Sequence, residues 1–248
     1  MEKGKFYGTR AIIFDKDGTL LDFDAFWVSV GKMATDMLLS RLGAVNERKE
    51  ITDETLLAYG ICGGVTDIDG VICKGTYRQM SDIFCDVLAA HGVTVDGDEL
   101  YPMLLAAYGE AAQVGVVLPA AEGLREALLS LRSRGIRLFL VTTDKPDVTK
   151  RCLDSLEITE LFDRIYCDDG IMPPKPAPDA IDDVISRFGI ERDGIIMVGD
   201  TMTDIRFARG GKIRVIGVSA NEKNAGRLRP HADAVIHDVT ELLSVIGD

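Results

Sequence analysis

Four clusters of polar residues each follow a short apolar run in this chain. Asp15 and Asp17 come after the run at 10–14, and Thr142, Thr143 and Asp144 after 137–141. Lys175 closes the loop after 164–167. Gly199, Asp200 and Asp204 come after 195–198. Apolar runs of this length, bounded by breakers, read as buried strands. In open parallel sheets ligands bind beyond the carboxyl ends of the strands, so one sheet edge would gather all four clusters. Three carboxylates, a lysine and a hydroxyl at one point form a metal and phosphate site. Carboxylate oxygens suit Mg2+, a small hard cation that prefers oxygen ligands and substrate phosphates.

Other phosphoryl chemistries are poorly supplied. The three histidines, His91, His231 and His237, lie away from these strand ends, which leaves zinc and phosphohistidine chemistry without ligands. Cys73 and Arg78 are one residue short of a Cys-x5-Arg loop. Lys212 is followed by Ile213, so no Walker loop is present. The five cysteines, Cys62, Cys73, Cys85, Cys152 and Cys167, are odd in number and contain no Cys-x-x-Cys pair. They read as reduced, mostly buried thiols.

The elements that must position these clusters follow from periodicity. Strands are expected over 10–14, 137–141, 164–167, 195–198, 214–218 and 234–236. Helices are expected over 122–134, 146–156, 177–188, 203–208 and 241–246. This alternation predicts a parallel sheet covered on both faces, a doubly wound, Rossmann-like α/β core. Between Phe23 and Gln113 no convincing strand is found. Helical patterns run over 24–42, 79–90 and 99–114, and the glycine-rich stretch 59–75 reads as a loop or broken helix. The chain is therefore expected to be a core of residues 1–21 and 116–248 with an all-helical cap, 22–115, inserted after the first strand.

The run Ile12-Ile13-Phe14-Asp15-Lys16-Asp17-Gly18-Thr19-Leu20 resembles motif I of the haloacid dehalogenase (HAD) superfamily. Thr142 or Thr143 resembles motif II. Lys175 in Lys-Pro-Ala-Pro-Asp resembles motif III, and Gly199-Asp200-Thr201-Met202-Thr203-Asp204 resembles motif IV. Motif II alone carries almost no information. All four in order, each after an expected strand, are specific. The resemblance covers the α/β part closely and the helical insert only as a cap. In layout the chain is most similar to the phosphoglycolate phosphatases.

The resemblance implies a Mg2+-dependent phosphatase. Asp15 would be the nucleophile and form an aspartyl-phosphate. Asp17 would protonate the leaving oxygen and then deprotonate water. Mg2+ would be held by Asp15, the Asp17 carbonyl and Asp200, with Asp204 orienting that shell from behind. Lys175 would offset charge on Asp15 and the phosphate. Thr142, preferred to Thr143 as the motif II residue, would donate its hydroxyl to phosphate, with Thr143 lending its N–H. Gly18 would permit the turn that brings both aspartates to one side. An acid at position 17 points to a phosphate ester rather than to dehalogenation. A β-phosphoglucomutase-like mutase would share every core residue, and a non-catalytic binding protein on the same fold is the rival from another class. Chain near 21–24 and 115–119 would hinge the cap.

Other features have blander readings. Lys16 stands where many relatives are apolar, and its side chain is expected to point away from the site. Asp144 is expected to N-cap the next helix. Asp67-Ile-Asp-Gly70 repeats the Asp-x-Asp-Gly skeleton, but no strand precedes it, so it reads as a turn. Lys32, Lys74 and Arg78 read as surface charges that could reach a second anionic group. Phe26, Trp27 and Met33 read as cap core.

Composition bounds the partners. Hydrophobic residues make up 46% of the 248, enough to build a core rather than a disordered chain. A net charge of −12 repels nucleic acid and anionic membranes. It also repels phosphorylated substrates, so positive charge must be concentrated at the site. The polar start, Met1 to Tyr7, does not read as a signal peptide, and no apolar run approaches the ~20 residues of a membrane span. A cytoplasmic enzyme acting on a small phosphorylated molecule is expected; oligomeric state is not encoded legibly.

Overall fold

A computed structural model describes residues 4–43 and 46–247. Of the polar start, Met1 to Lys3 lie outside these residues. The chain opens with strand β1 (Ala11–Phe14) and then enters a helical unit. This contains α1 (Phe23–Arg41), α2 (Arg48–Ala58), the strands β2 (Ile61–Cys62) and β3 (Val65–Thr66), α3 (Val71–Lys74), α4 (Tyr77–Ala90) and α5 (Gly97–Ala112). It returns through α6 (Leu124–Ser133), β4 (Arg137–Val141), α7 (Pro146–Ser155), β5 (Arg164–Tyr166), α8 (Asp179–Phe188) and β6 (Ile195–Gly199). The last elements are α9 (Met202–Gly210), β7 (Arg214–Val218), α10 (Glu222–Leu228), β8 (Ala234–Ile236) and α11 (Leu242–Ile246). Two compact units result: one ends at Asp22 and resumes at Val117, and the other spans Phe23–Val116.

The first unit is a parallel doubly wound sheet in the order β5-β4-β1-β6-β7-β8. β1 is central, paired to β4 on one side and β6 on the other. Connections run outward to β5 on one side and to β8 on the other, so the reversal of strand order falls at β1. Ligand crevices open at such reversals. All four residues of β1 are buried because helices cover both faces. Successive side chains alternate between faces. Ile12 and Phe14 pack with Leu128, Leu131 and Leu153 of α6 and α7. Ala11 and Ile13 pack with Ile181, Val184 and Phe207 of α8 and α9. The chain leaves and re-enters this unit side by side: Asp22 N–H donates to the Leu118 carbonyl at 3.0 Å and Ala120 N–H to that of Leu20 at 2.9 Å.

The second unit is helical as expected. Phe26, Val30, Ala34 and Leu38 of α1 are buried, as are Leu100, Leu104, Tyr108 and Ala111 of α5. Trp27 and Met33 are only half-buried. A minimal hairpin and the short helix α3 occupy the stretch expected to be a loop or broken helix. β2 and β3 pair antiparallel across Gly63 and Gly64, whose φ values are 59° and 84°. Two consecutive left-handed residues are what a two-residue hairpin turn requires. Helix α2 also falls outside the expected elements. It buries only Ile51, Thr55 and Leu56, so its apolar stripe is too thin to show as a period.

Candidate active site

The site grows from the end of β1. Asp15 N–H donates to the Val198 carbonyl at 2.9 Å, which extends the sheet by one residue. The chain then turns sharply. The Lys16 carbonyl accepts from the N–H groups of Leu20 at 2.9 Å and Leu21 at 3.0 Å, and Gly18 N–H donates to the Leu21 carbonyl at 2.8 Å. Gly18 has a φ of 76°. A Cβ there would overlap Asp200 Oδ2 and lie 2.7 Å from its Cγ, so glycine is needed both for the turn and for room.

Strand alternation sends Asp15 and Lys16 to opposite faces. On the α9 side, Lys175 Nζ donates to Asp15 Oδ1 and, at 2.6 Å, to Asp204 Oδ1. Lys175 and Asp15 are buried and Asp204 is fully so. Asp204 also closes the capping box of α9: its Oδ2 accepts from Thr201 Oγ1 at 2.6 Å and from Thr201 N–H at 3.0 Å. Asp200 completes the cluster. Its Oδ1 accepts from Thr19 Oγ1 at 3.4 Å, and its carbonyl accepts from Asn224 Nδ2 at 3.0 Å. Carboxylate oxygens of Asp15, Asp200 and Asp204 lie within 4.8 Å of one another.

On the α7 side a second lysine does the same for a second pair of acids. Lys16 is fully buried, and its Nζ lies 2.7 Å from Asp17 Oδ1 and 2.9 Å from Asp144 Oδ2. Two expectations are corrected here. Asp144 does not cap α7: Lys145 occupies the N-cap without a side-chain bond, because a buried ammonium claims the Asp144 carboxylate. Lys16 does turn away from Asp15, but into Asp17. The signal was its parity, since Lys16 continues the row Ile12, Phe14 into the core and must find partners there.

The electrostatics show a shortage of positive charge. Burial pushes the Asp15 carboxyl up to about 6; Lys175 pulls it down and Asp204 pushes it up. Burial and then repulsion from Asp144 push Asp17 up to about 7, against the pull of Lys16. Asp200 is raised well above the usual carboxylate range by burial and by Asp15 and Asp204. Both lysines are desolvated, yet the acids around them hold their pKa values above the ordinary lysine range. A hard divalent cation fits this set: all donors are oxygens, and its charge offsets the repulsion among them.

Among the other expected residues, Thr142 is buried and its Oγ1 accepts from Asp144 N–H at 3.2 Å, while Thr143 is exposed. Asp67 and Asp69 form a side-chain-closed turn, with Asp69 N–H on Asp67 Oδ1 at 3.0 Å. Lys74 pairs with Asp69 and Arg78 with Asp98, whereas Lys32 is exposed. All five cysteines are free, but only Cys152 is buried, which corrects the expectation of mostly buried thiols. His91 lies between Glu47 and Glu54 in the helical unit. No helix among the described residues is long and apolar enough to cross a membrane.

A parallel α/β domain with an acid cluster and a buried lysine at its central strand defines a class of hydrolytic enzyme, and comparison with known proteins identifies the family. The haloacid dehalogenase-like hydrolase family matches residues 9–211, and the chain belongs to it. A phosphoglycolate phosphatase of Pseudomonas fluorescens is 28% identical over 94% of this chain and 78% of its own length. A solved structure, described as a predicted phosphoglycolate phosphatase from Haemophilus somnus, superposes with a TM-score of 0.67 at 18% identity, covering 97% of this chain and 99% of that one. The L-2-haloacid dehalogenase of Xanthobacter autotrophicus superposes with a TM-score of 0.54 at 16% identity, covering 94% of this chain and 96% of its own. A fold shared with a dehalogenase does not select the reaction.

Proposed function

We propose that this chain is a Mg2+-dependent phosphatase that hydrolyses a small-molecule phosphate monoester through an aspartyl-phosphate, in the manner of phosphoglycolate phosphatases. The observation that carries the reading is Asp15, buried at the end of the central strand, clamped by Lys175, with a second acid, Asp17, two residues on. Relatives bearing the phosphoglycolate phosphatase name align over most of the chain, which favours that substrate. The core, 1–21 and 116–248, carries the chemistry, and the insert, 22–115, carries specificity. Free thiols fit a reducing compartment such as the cytoplasm.

Asp15 attacks phosphorus with the carboxylate oxygen that Lys175 orients. As the bond to the leaving oxygen breaks, Asp17 supplies its proton. A carboxyl pushed up to about 7 is roughly half protonated near neutral pH, so it can both give and take the proton. Asp17, now ionised, takes a proton from the water that attacks the aspartyl-phosphate. Thr142 and the Thr143 N–H bind phosphate oxygens, and Lys175 offsets their charge. Asp15, Asp200 and the Asp17 carbonyl, with Asp204 behind them, would hold Mg2+, which would supply charge that lowers the repulsion between nucleophile and phosphate. The test is phosphate release from a panel of phosphate esters, with Mg2+ or EDTA, for the wild type and Asp15→Asn. Metal-dependent release lost in Asp15→Asn is expected. Interconversion of sugar phosphates without release would replace this reading with a mutase, and silence in both assays with a binding protein.

A further inference from the structure

Lys16 is the buried charge that the reaction above does not use. It continues the apolar row of Ile12 and Phe14, and a leucine or methionine would satisfy that position without desolvating an ammonium. Burying a charge costs several kcal/mol unless its partners are well placed. Here Asp17 Oδ1, on the strand's own turn, accepts a hydrogen bond at 2.7 Å; Asp144 Oδ2, on the loop after β4, is an ion-pair partner at 2.9 Å without hydrogen-bond geometry, and Cys152 Sγ of α7 lies at 3.9 Å. The Asp144 backbone is itself tied to Thr142 Oγ1 at 3.2 Å. Lys16 is thereby ion-paired to the loop after the neighbouring strand while it donates to Asp17. Asp17 has two side-chain torsions, and proton transfer requires one narrow orientation.

We propose that Lys16 is a positioning residue: its ammonium, anchored on Asp144, holds the Asp17 carboxyl in the single orientation used for proton transfer. The inference rests on the reading of Asp17 as acid and base. In the step concerned, the bond from an Asp15 oxygen to phosphorus forms, the bond from phosphorus to the leaving oxygen breaks, and the Asp17 proton passes to that oxygen. An alkoxide needs this proton to leave; a nitrophenolate leaves without it. Loss of orientation must therefore depend on the leaving group, whereas a structural defect would not.

The experiment is single-turnover release of the leaving group, enzyme in excess and Mg2+ saturating, with phosphoglycolate and with p-nitrophenyl phosphate. Lys16→Met, the double variant Lys16→Met/Asp144→Asn and Asp17→Asn are compared with the wild type. The double variant removes the anchor's charge together with the ammonium, so it retains a neutral, packable pocket. Positioned acids contribute on the order of 100- to 10,000-fold, so losing orientation while keeping the acid should cost on the order of 10- to 100-fold with phosphoglycolate. Release from the aryl ester should be unchanged. Equal losses with both esters, or no loss with either, in whichever Lys16 variant folds, would overturn the inference. Asp17→Asn separates it from its premise. If that variant shows no leaving-group dependence, the acid role itself fails; if it does and the Lys16 variants do not, only the positioning role fails.

Discussion

Gly18 stands at the turn where backbone and site geometry meet, and Gly18→Ala separates the two demands. Its φ of 76° costs any residue with a Cβ about 1–2 kcal/mol. That cost has a built-in control. Gly123, at the start of α6, has a φ of 78° and nothing within 4 Å of its would-be Cβ, so Gly123→Ala incurs the backbone strain alone. For a chain of this size each kcal/mol lowers Tm by about 2–4 °C, so both variants should melt roughly 2–8 °C lower.

Only Gly18→Ala meets Asp200. Its Cβ would lie 2.7 Å from Asp200 Cγ. Ordinary carbon contacts begin near 3.5 Å, so the carboxylate must retreat by about 1 Å. Displacements of about 1 Å in a reacting constellation cost on the order of 100-fold in rate. Disturbing how a metal ligand is oriented costs about 10- to 100-fold in affinity. The assay is a Mg2+ titration of phosphate release and, independently, of Tm. Gly18→Ala should raise the half-saturating Mg2+ concentration about 10- to 100-fold, and Gly123→Ala should leave it unchanged. Identical Mg2+ curves for the two variants would refute the claim that Gly18 makes room for Asp200.

Two predictions concern stability. Asp163 accepts from Arg137 Nη2 at 3.0 Å, Arg132 Nη1 at 3.2 Å and Leu138 N–H at 3.2 Å. Burial alone would raise its pKa, but these bonds outweigh it and hold the carboxyl below the usual range. A depressed folded-state value means stability that is complete above the unfolded value of about 3.9 and lost as pH falls through the folded one. Asp163→Asn should therefore lower stability by about 1–2 kcal/mol at pH 7, and the gap in Tm should close below pH 4; a gap independent of pH would contradict the assignment. Lys175→Met leaves Asp15 and Asp204 buried without their ammonium, so urea denaturation in EDTA should show a loss of about 3–5 kcal/mol, and a loss under 1 kcal/mol would show the clamp to be dispensable.

The core was legible because its strands are buried on both faces and read as unbroken apolar runs, such as Ile12-Ile13-Phe14 and Ile195-Ile196-Met197-Val198. Their order along the chain places every cluster at one sheet edge before any coordinate is known. The helical insert was less legible. Helix α2 is held by three buried side chains, and the hairpin of β2 and β3 is announced only by the pair Gly63-Gly64. Within the site, sequence supplied Asp15, Lys175, Asp200 and Asp204, which geometry brings together. It did not supply the partnership of Lys16 with Asp144. These residues are far apart in sequence, and only the pairing of β1 with β4 brings them together. Thr19 lies within the motif I run, but its contact with Asp200 was not foreseen, and Asn224, which also touches Asp200, carries no spacing signal at all.

Each of the two buried lysines serves two acids. Lys175 pairs Asp15 with Asp204, and Lys16 pairs Asp17 with Asp144. Each ammonium is shared by two carboxylates, so neither pair is fully offset when both of its acids are ionised. Asp200 lies outside both pairs, and burial and then Asp15 and Asp204 raise its carboxyl well above the usual range. A cation that binds the folded chain here and not the unfolded one must stabilise the fold by mass action, by about 2.7 kcal/mol at a hundredfold excess over Kd. Mg2+ should thus raise the Tm of the wild type progressively with concentration. Asp200→Asn removes the carboxylate that is ion-paired with neither buried lysine. It should be at least as stable as the wild type in EDTA, because a buried repulsion is gone, and it should lose the Mg2+-dependent rise. A variant that is weaker in EDTA and still gains from Mg2+ would show that the cation is held elsewhere.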